Sequence, residues 1–136
     1  MIRRCFAAYL GAGLAIGALD AAWLTATNAV VYRAALGPLL APTFRPAPAL
    51  AFYAVYLAGV VVFAVVPALT TARLRDAVWR GALLGVCCYA TYDLTNQATL
   101  TVWPATLSLI DIAWGAVLTT AGAAAGFLAA RGPSKA

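Results

Sequence analysis

The sequence predicts an all-helical integral membrane protein, a bundle of four transmembrane helices, and three observations support this. The 136-residue chain is 65% hydrophobic and 10% charged, whereas soluble domains are about 45–50% apolar and about 25% charged. It contains four apolar stretches of about 20 residues or more, long enough to cross ~30 Å of hydrocarbon as helices. Its positive charges gather near the ends of these stretches. These features exclude a soluble or disordered chain and indicate one membrane-embedded domain.

The four spans follow each other with short connections. They are predicted over residues 6–27, 48–69, 79–100 and 105–130 of a single domain, 1–136. The first helix is expected to continue past its span until Gly37 and Pro38 end it. Pro67 predicts a kink near the end of the second span. Trp103 and Pro104 form a tight turn, so the third and fourth spans are expected to make an αα-hairpin.

The positive charges predict the orientation of the bundle. Seven of the nine lie at the termini or between the second and third spans: Arg3, Arg4, Arg73, Arg75, Arg80, Arg131 and Lys135. Arg33 and Arg45 fall on the other side. The positive-inside rule therefore predicts that both termini are cytoplasmic. Because these arginines act as topology signals, the net charge of +5 does not indicate a nucleic-acid partner.

The absence of certain residue types narrows the chemistry. The sequence contains no His and no Glu, and its one Lys is Lys135 at the tail. This excludes a His-ligated metal, a His-based catalytic triad and a catalytic Lys within the membrane. Cys87 and Cys88 are adjacent within an apolar run and are interpreted as small packing residues. We therefore expect no metal site and no cofactor.

Three of the four acidic residues lie inside the predicted spans: Asp20, Asp93 and Asp111. An ionisable group in hydrocarbon costs at least ~2.5–3.5 kcal/mol, so such a residue is a functional-site hypothesis. At ~1.5 Å per residue, Asp20 and Asp93 lie roughly 24 Å and roughly 20 Å from the cytoplasmic edge, and Asp111 roughly 12 Å below the outer edge. These depths predict a shared site between the mid-plane and the outer surface.

Helical spacing places polar and aromatic residues beside these acids. On the third span such residues recur at i, i+3, i+4 and i+7, beginning at Tyr89, and so share one face. Asp20 and Asp111 are each followed three residues later by Trp, in two copies of Asp-x-Ala-Trp. Two tyrosines of the second span complete the set. The candidate ligand- or proton-binding residues are Asp20, Asp93, Asp111, Asn96, Trp23, Trp114, Tyr89, Tyr92, Tyr53 and Tyr56.

Two interpretations of this set remain open. Buried polar groups can hydrogen-bond across helices and act as structural glue. However, no Lys or Arg lies within the spans near the three acids, since Arg80 stands at the cytoplasmic end of the third span. Proximity and burial then favour a proton on at least one carboxyl at neutral pH, and aromatic walls suit a cation. A ligand or proton site is the leading hypothesis.

Glycines four residues apart predict where helices approach closely. The pairs are Gly13 and Gly17, Gly81 and Gly85, and Gly122 and Gly126. Such pairs let helix backbones come together, either inside the bundle or between two copies of the chain. Packing inside the bundle is the favoured interpretation, with a homodimer as the alternative.

Several motifs resemble a family of small four-helix bacterial inner-membrane proteins catalogued as a domain of unknown function. They are Leu19-Asp20 with Trp23-Leu24, Tyr32-Arg33, Phe52-Tyr53 with Tyr56, Pro67-Ala68-Leu69, the string from Tyr89 to Asn96, and Asp111 with Trp114-Gly115. The string Tyr-Asp-Leu-Thr-Asn is the most specific part. The resemblance covers nearly the whole chain and implies a bacterial inner-membrane location, but brings no established activity.

Three functions fit these observations. The leading hypothesis is a small transporter or binding protein for a cationic or amphipathic small molecule or a lipid, with proton coupling. The architecture is similar to that of small multidrug-resistance exporters, although those use a Glu in the first helix and this chain has none. The alternatives are a lipid-modifying enzyme or accessory, and a structural subunit of a larger membrane complex. Membrane lipids are the expected partners in each case.

Overall fold

The computed structural model describes residues 1–131, so the predicted charge at Lys135 lies outside the described residues. Four long helices occupy most of this range. They are α1 (Ile2–Leu36), α2 (Pro46–Thr71), α3 (Leu74–Thr99) and α4 (Ala105–Ala130). The described residues form no strand. The all-helical fold class is therefore confirmed.

Three of the four helices are long and apolar enough to cross a membrane: α1, α2 and α4. The remaining helix, α3, has the same 26-residue length as α4 but is less apolar. Its composition explains the difference, because α3 begins among Arg75, Asp76 and Arg80 and carries threonines along its second half. The membrane class is confirmed, and a membrane crossing by α3 stays a prediction.

Both ends of the described chain meet at one end of the bundle. The Arg4 guanidinium Nε donates a hydrogen bond to the Ala130 carbonyl at 3.0 Å, which joins the start of α1 to the end of α4. At the same end, α2 turns into α3 at Ala72, whose backbone is left-handed with φ 54°. We call this the terminal end. The opposite, distal end holds the 37–45 connection and the 100–104 turn, which produces the predicted αα-hairpin.

Glycines on α3 and α4 allow the closest helix contacts. A Cβ atom on Gly81 would lie 2.8 Å from the Ala123 Cβ, and one on Gly126 would lie 2.9 Å from the Ala8 carbonyl oxygen. Gly85 and Gly122 are equally crowded by neighbouring helices. These two predicted glycine pairs therefore pack inside the bundle.

The glycine prediction for α1 was wrong in part. Gly17 is exposed, with no atom within 4 Å of a Cβ built on it. Gly13 meets only the side chain of Leu57. The glycine of α1 that faces α4 closely is Gly11, where a Cβ would lie 2.7 Å from the Ala129 Cβ. Gly13 and Gly17 have the four-residue spacing, but they lie on a different face of α1 from Gly11, which contacts α4.

Two π-helical segments change the register within α1 and α2. They span Asn28–Tyr32 in α1 and Val60–Val65 in α2. The second lies just before Pro67, which lacks the N–H needed for a regular helical bond, so the expected distortion takes the form of a wider turn. Buried residues of α2 then recur every four positions: Tyr56, Leu57, Val60, Val61, Ala64, Val65, Ala68 and Leu69.

Candidate functional site

Asp20 of α1 is 9% exposed and receives two hydrogen bonds. The Tyr53 hydroxyl of α2 donates to its Oδ2 atom, and the Trp114 indole N–H of α4 donates to its Oδ1 atom at 3.3 Å. The carboxyl group thus joins three helices. Hydroxyl and indole donors of this kind stabilise a charged carboxylate in a buried position.

Asp111 of α4 is 7% exposed and is held in a similar way. The Tyr32 hydroxyl of α1 donates to its Oδ1 atom at 2.5 Å. The Trp23 indole N–H donates to the same Tyr32 oxygen at 2.9 Å. Tyr32 therefore accepts a hydrogen bond from Trp23 and donates one to Asp111.

The two Asp-x-Ala-Trp motifs pair with each other. Trp23 and Trp114 stack with ring centroids 4.4 Å apart and planes 9° from parallel. Trp114 of the second motif binds Asp20 of the first, while Trp23 of the first reaches Asp111 of the second through a tyrosine. Because α1 and α4 run in opposite directions, equal spacing in both motifs produces this reciprocal arrangement. The Asp/Trp network is made of Asp20, Trp23, Tyr32, Tyr53, Asp111 and Trp114.

Tyr32 is the member of this network that sequence reasoning missed. At ~100° per residue of regular helix, Tyr32 would lie about 120° around α1 from Asp20. The π-helical segment Asn28–Tyr32 adds one residue to the turn, which brings Tyr32 to within about 20° of Asp20. An analysis based on 3.6 residues per turn therefore could not place Tyr32 beside Asp20. The Tyr32-Arg33 pair among the family motifs was the available signal.

Asp93 of α3 differs from the other two acids. It is 0% exposed, and neither carboxyl oxygen has a hydrogen-bond partner among the described residues. The charge of Asp111 and the Trp103 indole N–H both act on Asp93. Asp93 therefore stands outside the Asp/Trp network.

The packing of α3 on α4 places Asp93 level with Asp111. Gly81 packs on Ala123, Gly85 on Thr119 and the Tyr89 ring on Gly115. Each contact lies four residues further along α3 and four residues back along α4. The next pair in this series is Asp93 with Asp111. Two carboxyl groups thus face the same layer of the α3–α4 interface, one with a hydroxyl donor and one without.

A polar cap lies between these carboxyls and the distal end. The Trp103 indole N–H donates to Ser108 Oγ at 3.2 Å, and the Ser108 hydroxyl donates to Gln97 Oε1 at 3.0 Å. Gln97 is one turn beyond Asp93 on α3, and Ser108 is one turn before Asp111 on α4. Trp103, Ser108 and Gln97 were not among the predicted site residues. They close the distal end of the hairpin over the two acids.

An aromatic groove opens between α2 and α3. It has a volume of about 350 Å³ and is lined by Phe52, Tyr56, Cys88, Tyr89 and Tyr92. The inner wall is anchored, because the Tyr56 hydroxyl is hydrogen-bonded to Thr119 Oγ1 at 2.5 Å and the Tyr89 ring packs on Gly115. Tyr92 is exposed at the outer wall.

Residues 5–128 match the family model described as "Predicted membrane protein (DUF2177)". The chain belongs to this family. The resemblance drawn from the motifs is thus confirmed, and the family description supplies membrane location without an activity. No match is found among curated proteins or among solved structures.

In this DUF2177 protein the ten predicted site residues divide into separate groups. Asp20, Trp23, Tyr53, Asp111 and Trp114 enter the Asp/Trp network. Tyr56, Tyr89 and Tyr92 line the aromatic groove. Asp93 lies buried beside the network, and the half-buried Asn96 belongs to neither group. A ligand role for any of these residues stays a prediction.

Proposed function

We propose that this protein binds an amphipathic organic cation in the aromatic groove, as a multi-pass protein of the bacterial inner membrane. The orientation with both termini in the cytoplasm is supported by the arginines at the terminal end, where Arg4 contacts the end of α4. Arg33 and Arg45 are left for the distal side. The distal end then faces the outside of the cell.

The observation that carries this proposal is the groove itself. Its volume of about 350 Å³ falls within the ~300–1,000 Å³ of small-molecule sites. It opens sideways between α2 and α3, where a molecule dissolved in the bilayer could enter without leaving the apolar phase. Four aromatic rings and Cys88 form its walls. An apolar molecule with a flat or branched body would match this surface.

The charge balance of the bundle favours a cation. Asp20, Asp93 and Asp111 have no Lys or Arg partner, since the ion pair found within residues 1–131 joins Arg75 and Asp76 near the terminal end. Aromatic faces attract a positive charge by about 0.5–2 kcal/mol, most strongly when the charge is desolvated. A positive group in the groove would therefore meet favourable electrostatics from the aromatic rings.

The two alternatives receive less support from the contacts. Pairing with arginines of a neighbouring subunit would need free acids, but Asp20 and Asp111 are already hydrogen-bonded within this chain. For an enzyme, Ser108 is the buried hydroxyl near the acids, and its hydroxyl donates to the Gln97 amide rather than to a base. Binding is the function we propose.

Adjacent cysteines provide a matched test. Cys88 lines the groove, whereas Cys87 is exposed on another face of α3. Binding of tetraphenylphosphonium to the purified protein in lipid nanodiscs would be measured by equilibrium dialysis for wild type, Cys88→Trp and Cys87→Trp. Filling the groove in Cys88→Trp should weaken binding by about tenfold or more, which corresponds to about 1.4 kcal/mol. Cys87→Trp should bind as wild type does.

Equal binding by all three proteins, or no saturable binding by wild type, would refute the groove as the site. Transport is tested separately in proteoliposomes. We expect an imposed pH gradient to drive uptake of the same cation by wild type and not by Cys88→Trp. Binding without uptake would identify a binding protein rather than a proton-coupled transporter.

A further inference from the structure

We propose that Asp93 is the proton-binding residue of the bundle and carries its proton at neutral pH, while Asp20 and Asp111 join helices through hydrogen bonds. The proposal rests on the burial and packing of three carboxyl groups. It does not require a cation to bind in the aromatic groove.

The first argument is the lack of any donor to Asp93. Both of its oxygens are buried without a partner at hydrogen-bond distance, and the Trp103 indole N–H that lies near them donates to Ser108 Oγ instead. An ionised carboxylate in such a position loses its hydration and gains nothing in exchange, which costs far more than burying the neutral acid. The protonated form is therefore the form compatible with this packing.

The second argument is the contrast with the other two acids. Asp20 receives a hydroxyl and an indole N–H, and Asp111 receives a hydroxyl that is itself polarised by Trp23. Donors directed at carboxylate oxygens stabilise the charged form. Asp20 and Asp111 therefore have hydrogen-bond donors that would stabilise a negative charge, and Asp93 has none at hydrogen-bond distance.

The third argument is the register of α3 on α4, which puts Asp93 level with Asp111. Two carboxylates that share a site cannot both ionise without a large repulsion, so one retains a proton. The groups that face Asp93 are Asp111 from α4, Tyr92 from its own helix and the uncharged Trp103 indole from the turn. None of them supplies a positive charge.

The polar cap lies on the distal side of Asp93 and would limit the access of water from that end. Trp103, Ser108 and Gln97 are hydrogen-bonded to one another one turn distal to the two carboxyls. When the cap is closed, the proton cannot exchange through the distal end. When it opens, water reaches Asp93 and can accept the proton. We therefore expect Ser108→Ala to speed exchange at Asp93.

Infrared spectroscopy of the purified protein in nanodiscs tests the assignment. Wild type at neutral pH should show the carbonyl stretch of a protonated aspartic acid, identified by its shift with isotope-labelled aspartate and in heavy water. Asp93→Asn should lose this band, whereas the matched variant Asp20→Asn should keep it. Circular dichroism establishes that each variant is folded.

Several outcomes would overturn the proposal. The wild-type spectrum could lack the band at neutral pH, Asp93→Asn could keep it, or Asp20→Asn could lose it. If Asp93→Asn does not fold, Asp93→Glu replaces it, and the band must then shift to the position of a protonated glutamic acid. In Ser108→Ala the band should exchange with heavy water several-fold faster than in wild type, and equal rates would remove the cap from the argument. Cys88→Trp should leave the band unchanged, which separates this result from cation binding.

Discussion

Replacing Gly85 with alanine should force α3 and α4 apart. A Cβ atom at this position would overlap the Gly115 backbone and lie 2.7 Å from both the Gly115 carbonyl carbon and Thr119 Oγ1. The obstacle is the backbone of α4, which cannot move aside as the end of a long side chain can. The matched control is Gly17→Ala, because nothing lies within 4 Å of a Cβ there.

The expected magnitudes follow from two opposing effects. Overpacking a well-packed interface costs about 1–3 kcal/mol, while alanine in place of glycine in a helix stabilises it by roughly 0.5–1 kcal/mol. Gly85→Ala should therefore lose about 1–2 kcal/mol of unfolding free energy. Gly17→Ala should gain roughly 0.5–1 kcal/mol. The two variants should differ by about 1.5–3 kcal/mol, with opposite signs relative to wild type.

Unfolding in mixed micelles of a mild detergent and dodecyl sulfate would measure this difference. Circular dichroism reports the helices, and tryptophan fluorescence reports the stacked Trp23 and Trp114. If Gly85→Ala proved as stable as Gly17→Ala, α3 and α4 would not approach as closely as the structure has them. The placement of Asp93 beside Asp111 would then lose its basis.

Two further predictions concern the ends of the helices. The pKa of Asp76, outside the membrane-spanning part of α3, is lowered from its ordinary 3.8, first by the hydrogen bond from Thr71 and then by the charge of Arg75. A lowered pKa means that the charged form of Asp76 stabilises the fold. This contribution to the unfolding free energy should be complete above pH 3.8 and be lost as the pH falls through the folded-state pKa. Unfolding midpoints of Asp76→Asn, measured against pH, should lack this loss on the acid side, and a wild-type profile in the variant would contradict the prediction. Inserting one alanine after Ala29 in the π-helical segment should turn Tyr32 by about 100° away from its carboxyl partner and lower the unfolding free energy by about 1–3 kcal/mol. The same unfolding titration measures this, and wild-type stability would show that the register of Tyr32 is not needed.

The composition and the spacing of apolar residues were sufficient to predict most of the architecture. Hydrocarbon thickness determines how long an apolar helix must be, so the helices could be located without knowing their contacts. The hairpin at Pro104 followed from proline chemistry. The depths of Asp93 and Asp111, measured from opposite ends of their helices, placed them at one level, and the helix packing places them so too.

The parts that the sequence could not predict depend on local deviations from regular α-helix and on which side chains donate hydrogen bonds to the acids. Tyr32 reaches the site through a π-helical turn, which an analysis based on 3.6 residues per turn does not contain. Gly17 lies four residues from Gly13, as close helix packing requires, but it is on an exposed face of α1. Depth alone also could not separate Asp93 from Asp20, because the difference between them is the presence of a tyrosine hydroxyl on another helix.

The position of the aromatic groove follows from where α2 is held. Helix α4 packs most extensively on α1 and α3, while α2 meets α3 mainly through its π-helical segment, Val60–Val65. Distal to that segment α2 is attached to α1 instead, since the Tyr53 hydroxyl donates to Asp20 and the Tyr9 hydroxyl donates to the Ala54 carbonyl. Tyr56 adds a contact to α4 through Thr119, so this part of α2 is held by α1 and α4 while a gap remains against α3. The aromatic groove occupies that gap. The hydrogen bond from Tyr53 to Asp20 therefore links the Asp/Trp network to the helix that forms one wall of the groove in which we propose that the cation binds.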